Sequence, residues 1–293
     1  MSTQTAPKTG QERPVTAPDI RARKGESPIA CITAYDYCSG TIADQSGADL
    51  VLVGDSLAMV MLGHEDTLSV TMDEMLHHTR AASRGVKRAL LVGDMPFLSY
   101  NLSTEQALAN AGRFLSEGRA KAVKLEGGVG VAPQVKAIVD AGIPVLGHIG
   151  LTPQHVARFG GFKAQGKTAE AVKSMLDDAL ALEEAGVFAI VLEAVPEEAA
   201  QLITEALSVP TIGIGAGAVT DGQILVYHDV LGMFDRFTPK FVRRYGELGE
   251  LCAETLKRYC DDVRHCHFPT EKHTLHMDDD EAAKLRKIKR PKR

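Results

Sequence analysis

The sequence predicts an α/β fold, and more specifically a closed (β/α)8 barrel. Eight short apolar runs of strand length recur along the chain, and helix-sized amphipathic segments separate them. Strands that alternate with helices form a parallel sheet, and eight repeats favour a closed barrel over a doubly wound sheet. The doubly wound sheet stays open as the second choice, although no G-x-G-x-x-G motif follows the first strand.

The predicted strands are rich in aliphatic and β-branched residues, as is typical of strands that are buried on both faces. In chain order they lie near 29–34, 50–53, 89–92, 122–125, 145–148, 189–192, 211–214 and 224–227. All strands of a parallel barrel run in the same direction. Their carboxyl ends should therefore meet at one rim, where the active sites of such barrels lie.

Several segments between the strands carry helix signals. The segment 104–116 has a Ser/Thr start and Glu105 in its first turn. The segment 168–185 stops at Gly186, and 197–207 stops just before Pro210. Two connections, 55–88 and 149–167, are long and contain several glycines. Such segments serve as lids or substrate loops, or else as oligomer contacts, and the sequence does not choose between these roles.

Composition shifts near the two ends predict three regions. Residues 1–26 contain Pro14 and Pro18 and lack helical periodicity, which favours a disordered N-terminal lead. Residues 27–264 contain the repeating strands and helices of the catalytic barrel. Residues 265–293 carry an acidic block at 278–281 and a basic block at 284–293, which predicts a charged, disordered tail.

Charge and cysteine usage indicate a cytoplasmic protein without a membrane segment. A net charge of -5 argues against nucleic acid or an anionic membrane as the main partner. No apolar run is long enough to span a bilayer, and residues 1–25 lack the apolar region of a secretory signal. The five cysteines form no C-x-x-C pair, which is typical of free thiols in a reducing compartment.

Four acidic residues directly follow, or end, apolar runs: Asp55, Asp94, Glu126 and Glu193. For any one of them the ordinary interpretation is a cap on the next helix. Four in matching positions favour one shared polar site. Asp55 and Asp94 each end the string Val-Gly-Asp, and this repeat strengthens the interpretation. Carboxylates in one cleft repel each other unless a cation compensates, and oxygen donors prefer a hard ion such as Mg²⁺.

Two basic side chains belong to the same predicted rim. Lys124 stands two residues before Glu126, so the two side chains share one face of a strand. They form either a buried structural ion pair or a contact for an anionic substrate oxygen. His148 ends another predicted strand and is a possible site residue, although a lone histidine is more often a satisfied polar residue.

Two further patterns carry weaker signals. The glycines of 213–217 let backbone N–H groups approach a phosphate, or equally make room for a ligand or for packing. A Cys/His-rich stretch comprises Cys260, His265, Cys266, His267, His273 and His276. Its irregular spacing argues against a structural zinc site.

Seven ordered motifs resemble those of the ketopantoate hydroxymethyltransferase family. They are ITAYD (32–36), VGDSL (53–57), GDMPF (93–97), VKLEGG (123–128), GHIGLTPQ (147–154), LEAVP (192–196) and GIGAG (213–217). The resemblance covers about residues 27–260, and so many motifs in one order make it far more specific than any single glycine pattern.

The resemblance implies a (β/α)8 barrel of the phosphoenolpyruvate/pyruvate-type superfamily. It implies transfer of a one-carbon unit from 5,10-methylenetetrahydrofolate to 3-methyl-2-oxobutanoate in pantothenate biosynthesis, with Mg²⁺ as cofactor. Matched residue by residue, it makes Asp55, Asp94 and Glu126 metal ligands, Asp55, Ser56, Asp94 and Lys124 substrate contacts, and Glu193 the catalytic base. The family also implies a homodecamer of two stacked pentamers.

Two alternatives to this function stay open. A magnesium-dependent carbon–carbon lyase of the isocitrate-lyase or phosphonopyruvate type would use a similar barrel. Those enzymes place a reactive cysteine in a mobile loop, but this chain has no cysteine between Cys38 and Cys252. The other alternative is a binding protein that uses the basic block at 284–293 on nucleic acid.

Overall fold

A computed structural model describes residues 13–161, 163–285, 287 and 288, and the statements below concern these residues. The chain divides into two compact units, one ending at Gly246 and the other beginning at Glu247. The predicted end of the barrel at residue 264 is therefore too late, because the helix that precedes it belongs to the second unit.

The first unit is a closed barrel of eight parallel strands, as predicted. The strands are β1 (Ile29–Thr33), β2 (Leu50–Val53), β3 (Leu90–Asp94), β4 (Ala122–Glu126), β5 (Val145–Gly150), β6 (Ala189–Glu193), β7 (Thr211–Ile214) and β8 (Gly222–Leu225). Strand β8 pairs with β1 and closes the barrel, which excludes the doubly wound sheet. The prediction for β8 was two residues late. The chain leaves the sheet at Val226, where Thr33 Oγ1 accepts a hydrogen bond from the Tyr227 N–H.

Helices connect the strands and cover the barrel. They are α1 (Ala17–Arg21), α2 (Tyr37–Gln45), α3 (Leu57–Val60), α4 (Met72–Gly85), α5 (Thr104–Ser116), α6 (Ala132–Asp140), α7 (Val156–Phe159), α8 (Ala169–Glu184), α9 (Glu197–Ala206) and α10 (Tyr227–Val230). The helices predicted over 104–116, 168–185 and 197–207 are confirmed. Ser103 and Thr168 cap two of them by accepting hydrogen bonds from backbone N–H groups of the first turn.

The alternation of side chains along each strand separates two apolar layers. In β2, Leu50 and Leu52 belong to a cluster shared by the eight strands, whereas Val51 and Val53 pack in the larger layer with residues of the helices. Strands buried on both faces need apolar residues at every position, and this is why these strands appear in the sequence as continuous apolar runs.

Residues 13–26 include a capped helix, so the predicted disorder of 1–26 is wrong for 13–26. Helix α1 buries Ala17 and Ile20 in the same cluster as the inner strand residues. Thr16 and Asp19 form a reciprocal capping box. Pro18 lies in the first turn, where proline costs no hydrogen bond, so it is compatible with this helix. The remainder of the predicted lead, 1–12, lies outside the described residues.

The second unit contains α11 (Leu248–Arg264), a 3-10 turn at Glu271–His273 and α12 (Asp279–Leu285). The ring of Phe268 lies 5.7 Å from that of Tyr259 on α11 and 5.0 Å from that of His273. The predicted disorder of 265–293 is therefore wrong for 265–285, because the ring of Phe268 contacts α11 and the segment contains two helical elements. Residues 286 and 289–293 of that prediction lie outside the described residues.

Two further predictions concern the chain as a whole. Among the described helices, none has both the length and the apolar character that a membrane span requires. The five cysteines are all free thiols, as expected.

The carboxylate of Asp221 joins the N-terminal segment to the end of the barrel opposite the rim. It accepts hydrogen bonds from the N–H groups of Thr211 (2.8 Å) and Gly25 (2.9 Å) and pairs with Lys24 Nζ at 3.0 Å. Burial alone would raise the pKa of Asp221, but these hydrogen bonds and the Lys24 charge outweigh burial and lower the pKa.

We expect Asp221→Asn to lower the free energy of unfolding by about 1.5–3 kcal/mol at pH 7, because one N–H loses its charged acceptor. A lowered folded-state pKa stabilises the protein above the ordinary carboxyl pKa of about 4, and this contribution is lost as the pH falls through the folded value. The difference from wild type should therefore disappear in acid. Urea unfolding across pH 3–8 measures it. Asp140→Asn, in an exposed pair with Lys136, is the control and should cost under about 1 kcal/mol.

Candidate active site

All seven predicted site residues line one cavity of about 510 Å³ at the carboxyl-terminal end of the barrel. They are Asp55, Ser56, Asp94, Lys124, Glu126, His148 and Glu193. Three of the acidic residues are the last residues of β3, β4 and β6. The expectation that strand ends bring these side chains together is confirmed.

Strand register sets the neighbours within the cavity. Asp94 stands opposite Lys124 between β3 and β4, and Glu126 stands opposite His148 between β4 and β5. Packing explains why Gly93, in the second Val-Gly-Asp string, is a glycine: a Cβ atom there would lie 2.3 Å from the ring of Phe114. The close approach of α5 to β3 therefore requires glycine next to the acidic residue.

The shortest ion pair of the site joins Asp94 Oδ1 to Lys124 Nζ at 2.8 Å. The second oxygen of Asp94, Oδ2, accepts a hydrogen bond of 3.0 Å from the backbone N–H of Asp55. Neither aspartate caps a helix with its side chain: α3 begins after Ser56 without a side-chain cap. The helix-cap interpretation of these two residues is therefore wrong, and both carboxylates belong to the cavity.

Burial dominates the electrostatics of the two aspartates. Burial and then the nearby charges of Asp94 and Glu126 raise the pKa of Asp55 well above its ordinary value. Burial likewise raises the pKa of Asp94, although Lys124 opposes the shift. For Lys124, burial would lower the pKa, but the surrounding carboxylates outweigh burial and raise it, so the ammonium stays charged.

A second group of charges runs from β4 to β6. His148 Nδ1 lies 3.4 Å from Glu126 Oε1, and His148 Nε2 lies 3.3 Å from Glu193 Oε2. Both are ion-pair distances without hydrogen-bond alignment. Burial and Lys124 would lower the pKa of His148, but the adjacent glutamates outweigh them and raise it to about 9. Lys124 Nζ lies 3.3 Å from His148 Nδ1, so the imidazole stands between Lys124 and Glu193 beside the cavity.

The structure adds residues that the sequence patterns did not single out for a role. Gln154 is buried between Asp55 and Glu126, and Tyr100 hydrogen-bonds to Gln154. The hydroxyl of Tyr35 lies 2.9 Å from Ser56 Oγ and fixes that side chain. Gln154 and Tyr35 fall within the ordered motifs, and this was the available signal. Tyr100 lies outside them.

The outer part of the cavity is mainly aromatic and aliphatic. Its walls come from Met59, Val60, Leu151, Phe234, Phe237 and Phe241, with Asp229 and Lys240 as charged members. Phe234 and Phe237 meet edge to face, with ring centroids 5.6 Å apart. Burial raises the pKa of Asp229 to about 6. The cavity therefore has a charged inner end and an apolar outer end.

The glycines of 213–217 serve packing. Gly215 has φ of +66° and a Cβ atom there would lie 2.5 Å from the ring of Phe241. At Gly217, where φ is +75°, a Cβ atom would meet the side chain of Glu197. Close packing against neighbouring side chains and positive φ angles thus account for glycine at these two positions.

The inner end fits a hard metal ion in its donor types. Glu126 Oε1 is buried and has no hydrogen-bond partner, and the buried Asp94 Oδ1 has Lys124 Nζ at 2.8 Å. Within the described residues, however, no three His, Cys, Asp or Glu side chains converge as a ready-made metal cluster, and this includes the Cys/His-rich stretch. A small divalent ion such as Mg²⁺ commonly takes one or two carboxylates, with water and substrate oxygens as its other ligands. The donor set is compatible with that mode.

We expect Asp55→Asn to stabilise the metal-free protein by about 0.5–2 kcal/mol, the usual range for a favourable single substitution. A raised folded-state pKa means that the ionised carboxylate opposes folding, so wild-type stability should fall as the pH rises above about 4. The asparagine oxygen can still accept from Gln154. Unfolding in the presence of a chelator across pH 4–8 measures the effect. Asp73→Asn on an exposed helix turn is the control, and a less stable Asp55→Asn protein would contradict this account.

The comparisons with known proteins agree with the motifs. Residues 14–271 match the family model described as ketopantoate hydroxymethyltransferase. A relative from Syntrophobacter fumaroxidans is 61% identical over 271 residues, which are 92% of this chain and 96% of the relative. One from Clostridium beijerinckii is 56% identical over 265 residues, 90% of this chain and 96% of the relative. Both are named 3-methyl-2-oxobutanoate hydroxymethyltransferase.

Solved structures with much lower identity share the barrel. A phosphonopyruvate hydrolase complex with oxalate and Mg²⁺ aligns with a TM-score of 0.57 at 12% identity, over 93% of this chain and 95% of the hydrolase. A 2,3-dimethylmalate lyase of the PEP mutase/isocitrate lyase superfamily aligns at 0.54 and 14%, over 92% of this chain and 97% of the lyase. These similarities show the fold, and the sequence matches show the family. The chain belongs to the ketopantoate hydroxymethyltransferase family of enzymes.

Proposed function

We propose that the protein transfers a hydroxymethyl group from 5,10-methylenetetrahydrofolate to 3-methyl-2-oxobutanoate and forms 2-dehydropantoate, with Mg²⁺ at the inner end of the cavity. The observation that carries this proposal is the single cavity in which a buried Lys124–Asp94 pair and the carboxylate of Glu193 face the same space. Family membership supports the product, and the donor types of the inner end support the metal.

The charged inner end suits a 2-oxo acid. Asp55 and Asp94, with Glu126 next to them, would hold the Mg²⁺ ion. When bound, the ion supplies Lewis acidity toward the carboxylate and keto oxygens of the substrate. Lys124 stays protonated among the carboxylates and can stabilise negative charge on the keto oxygen as the enolate forms. Ser56, held by Tyr35, offers a hydroxyl to a substrate oxygen.

Glu193 is the base that removes the proton from C3 of the oxo acid. Its side chain is 17% exposed, which leaves it open to the cavity, and His148 holds one of its oxygens at 3.3 Å. The one-carbon unit is bonded to two folate nitrogens, and one of these C–N bonds breaks as C3 bonds to the carbon. Water then replaces the second nitrogen and supplies the hydroxyl oxygen. The proton taken from C3 and the proton released by the water complete the two N–H groups of tetrahydrofolate.

The apolar outer end suits the carrier of the one-carbon unit. A small branched oxo acid does not fill a cavity of about 510 Å³. The exposed faces of Phe237 and Phe241 can stack with a flat heteroaromatic ring such as the pterin. Asp229 can accept hydrogen bonds from ring N–H groups, and Lys240 can contact the carboxylates of the folate tail.

The direct test is NMR detection of 2-dehydropantoate from the oxo acid, methylenetetrahydrofolate and Mg²⁺. Omission of each component in turn identifies the requirements. No product in the complete mixture would overturn the proposed reaction, and unchanged turnover with a chelator would overturn the metal requirement. Light scattering on the same sample tests the proposed homodecamer.

We expect Glu193→Gln to slow proton exchange at C3 by roughly 10²–10⁴-fold, because glutamine keeps the shape but accepts no proton. Deuterium incorporation into the oxo acid in heavy water, without folate, isolates this step. Glu198→Gln, an exposed residue on α9, is the matched control and should exchange at the wild-type rate. Exchange at the wild-type rate in Glu193→Gln would assign the base elsewhere, with His148 as the next candidate.

A further inference from the structure

Gln154 is a buried residue whose side-chain amide and backbone N–H donate hydrogen bonds to carboxylates of the site. It lies in the 3-10 turn Pro153–His155, in the connection after β5, and is 3% exposed. Its Nε2 donates to Asp55 Oδ2 at 2.9 Å and to the backbone oxygen of Met95 at 3.0 Å. Its backbone N–H donates to Glu126 Oε2 at 3.0 Å. One residue from the β5 connection thus holds carboxylates that follow β2 and end β4.

Two of these bonds each occupy one oxygen of a carboxylate that lines the cavity. Gln154 occupies Oδ2 of Asp55 and Oε2 of Glu126. The remaining Oε1 of Glu126 is buried without a hydrogen-bond partner. A carboxylate that is fixed through one oxygen cannot rotate freely, so its free oxygen keeps one direction.

Three partners fix which way the Gln154 amide points: Asp55 and the Met95 carbonyl accept from its NH₂ group, and Tyr100 donates to its oxygen. The Tyr100 hydroxyl donates to Gln154 Oε1 at 2.7 Å and accepts from the backbone N–H of Glu126 at 3.2 Å. If the amide were reversed, its oxygen would face the Asp55 carboxylate and its NH₂ would face away from it. Acceptor would then oppose acceptor in a buried site, which is costly. The tyrosine is fully buried, so water does not compete for this hydrogen bond.

We propose that Gln154 is a positioning residue that presents the other oxygens of Asp55 and Glu126 to a divalent metal ion, while Tyr100 holds the amide oxygen of Gln154. The inference rests on the proposed function, because it assumes that these carboxylates hold the metal. Groups that orient metal ligands commonly change metal affinity or activity by roughly 10–100-fold when they are removed. No contact between Gln154 and substrate is needed for this role.

The test is Gln154→Met, which has a similar length and removes the side-chain bond to Asp55 but keeps the backbone bond to Glu126. We expect its affinity for Mn²⁺, measured by electron paramagnetic resonance without substrate, to fall by roughly 10–100-fold. Turnover should fall at limiting Mg²⁺ and recover at saturating Mg²⁺. Tyr100→Phe should lower the affinity for Mn²⁺ by a smaller factor, because the Gln154 amide keeps its donated hydrogen bonds but loses the one that Tyr100 donates to its oxygen.

A control variant separates this role from a general loss of a glutamine–carboxylate bond. Gln201, on the exposed face of α9, donates to Glu205 Oε1 at 2.8 Å, so Gln201→Met removes the same kind of bond outside the cavity. It should leave Mn²⁺ affinity unchanged. Circular dichroism and thermal midpoints check that the variants are folded, and Gln154→Glu, of the same shape, replaces Gln154→Met if the latter does not fold.

Each outcome decides between the hypotheses. Wild-type Mn²⁺ affinity in the Gln154 and Tyr100 variants would overturn the inference while leaving the proposed function intact. A loss of turnover that saturating Mg²⁺ does not restore, with unchanged Mn²⁺ affinity, would assign Gln154 a purely structural role. Wild-type protein that forms product but binds no Mn²⁺ would overturn the metal assignment and this inference together.

Discussion

The buried cluster of charges at the rim is the constraint on which the remainder of the site depends. Asp55, Asp94, Lys124, Glu126 and His148 are each at most 5% exposed. Isolated charges at such depth are prohibitively costly, so the cluster persists because each carboxylate faces a cation, an amide or a backbone N–H. Burial of these charges opposes folding, and the apolar layers on both sides of the strands offset that cost.

Barrel closure makes this cluster possible. The parallel register places Asp94 opposite Lys124 and Glu126 opposite His148, so alternating charges of opposite sign come from adjacent strands. The inner apolar cluster below the rim excludes water from beneath, and α1 adds Ala17 and Ile20 to that cluster. A strand slipped by one residue would turn each of these side chains to the other face of the sheet.

The two ends of the cavity differ in chemistry. The inner end has fixed charges on rigid strands, and rigid elements hold reacting groups more accurately than loops do. The outer end is formed mainly by the segment after β8 and by α3, where aromatic and aliphatic side chains line the opening. Polar chemistry at the inner end and apolar recognition at the outer end are compatible with a small oxo acid and a larger aromatic carrier in the same proposed reaction.

The sequence by itself determined the barrel fold and which charged residues lie at its rim. Strands buried on both faces must be apolar along their whole length, so eight such runs were visible, and the acidic residues that end them stood out against that background. The helix caps Ser103 and Thr168 were equally local signals. The apolar residues of α1 were too few to outweigh two prolines, and only their place against the barrel floor decides that this segment folds.

Tertiary structure alone decided how the rim residues pair and which neighbours orient them. Gln154 and Tyr100 lie far from Asp55 and Glu126 along the chain, and a lone buried amide or phenol has no periodicity that a sequence pattern could reveal. The same is true of the pKa of His148, which Glu126 and Glu193 raise from two different strands against the effect of burial. Local patterns encode which elements form, whereas hydrogen bonds and charges between distant segments depend on distances that only the folded barrel sets.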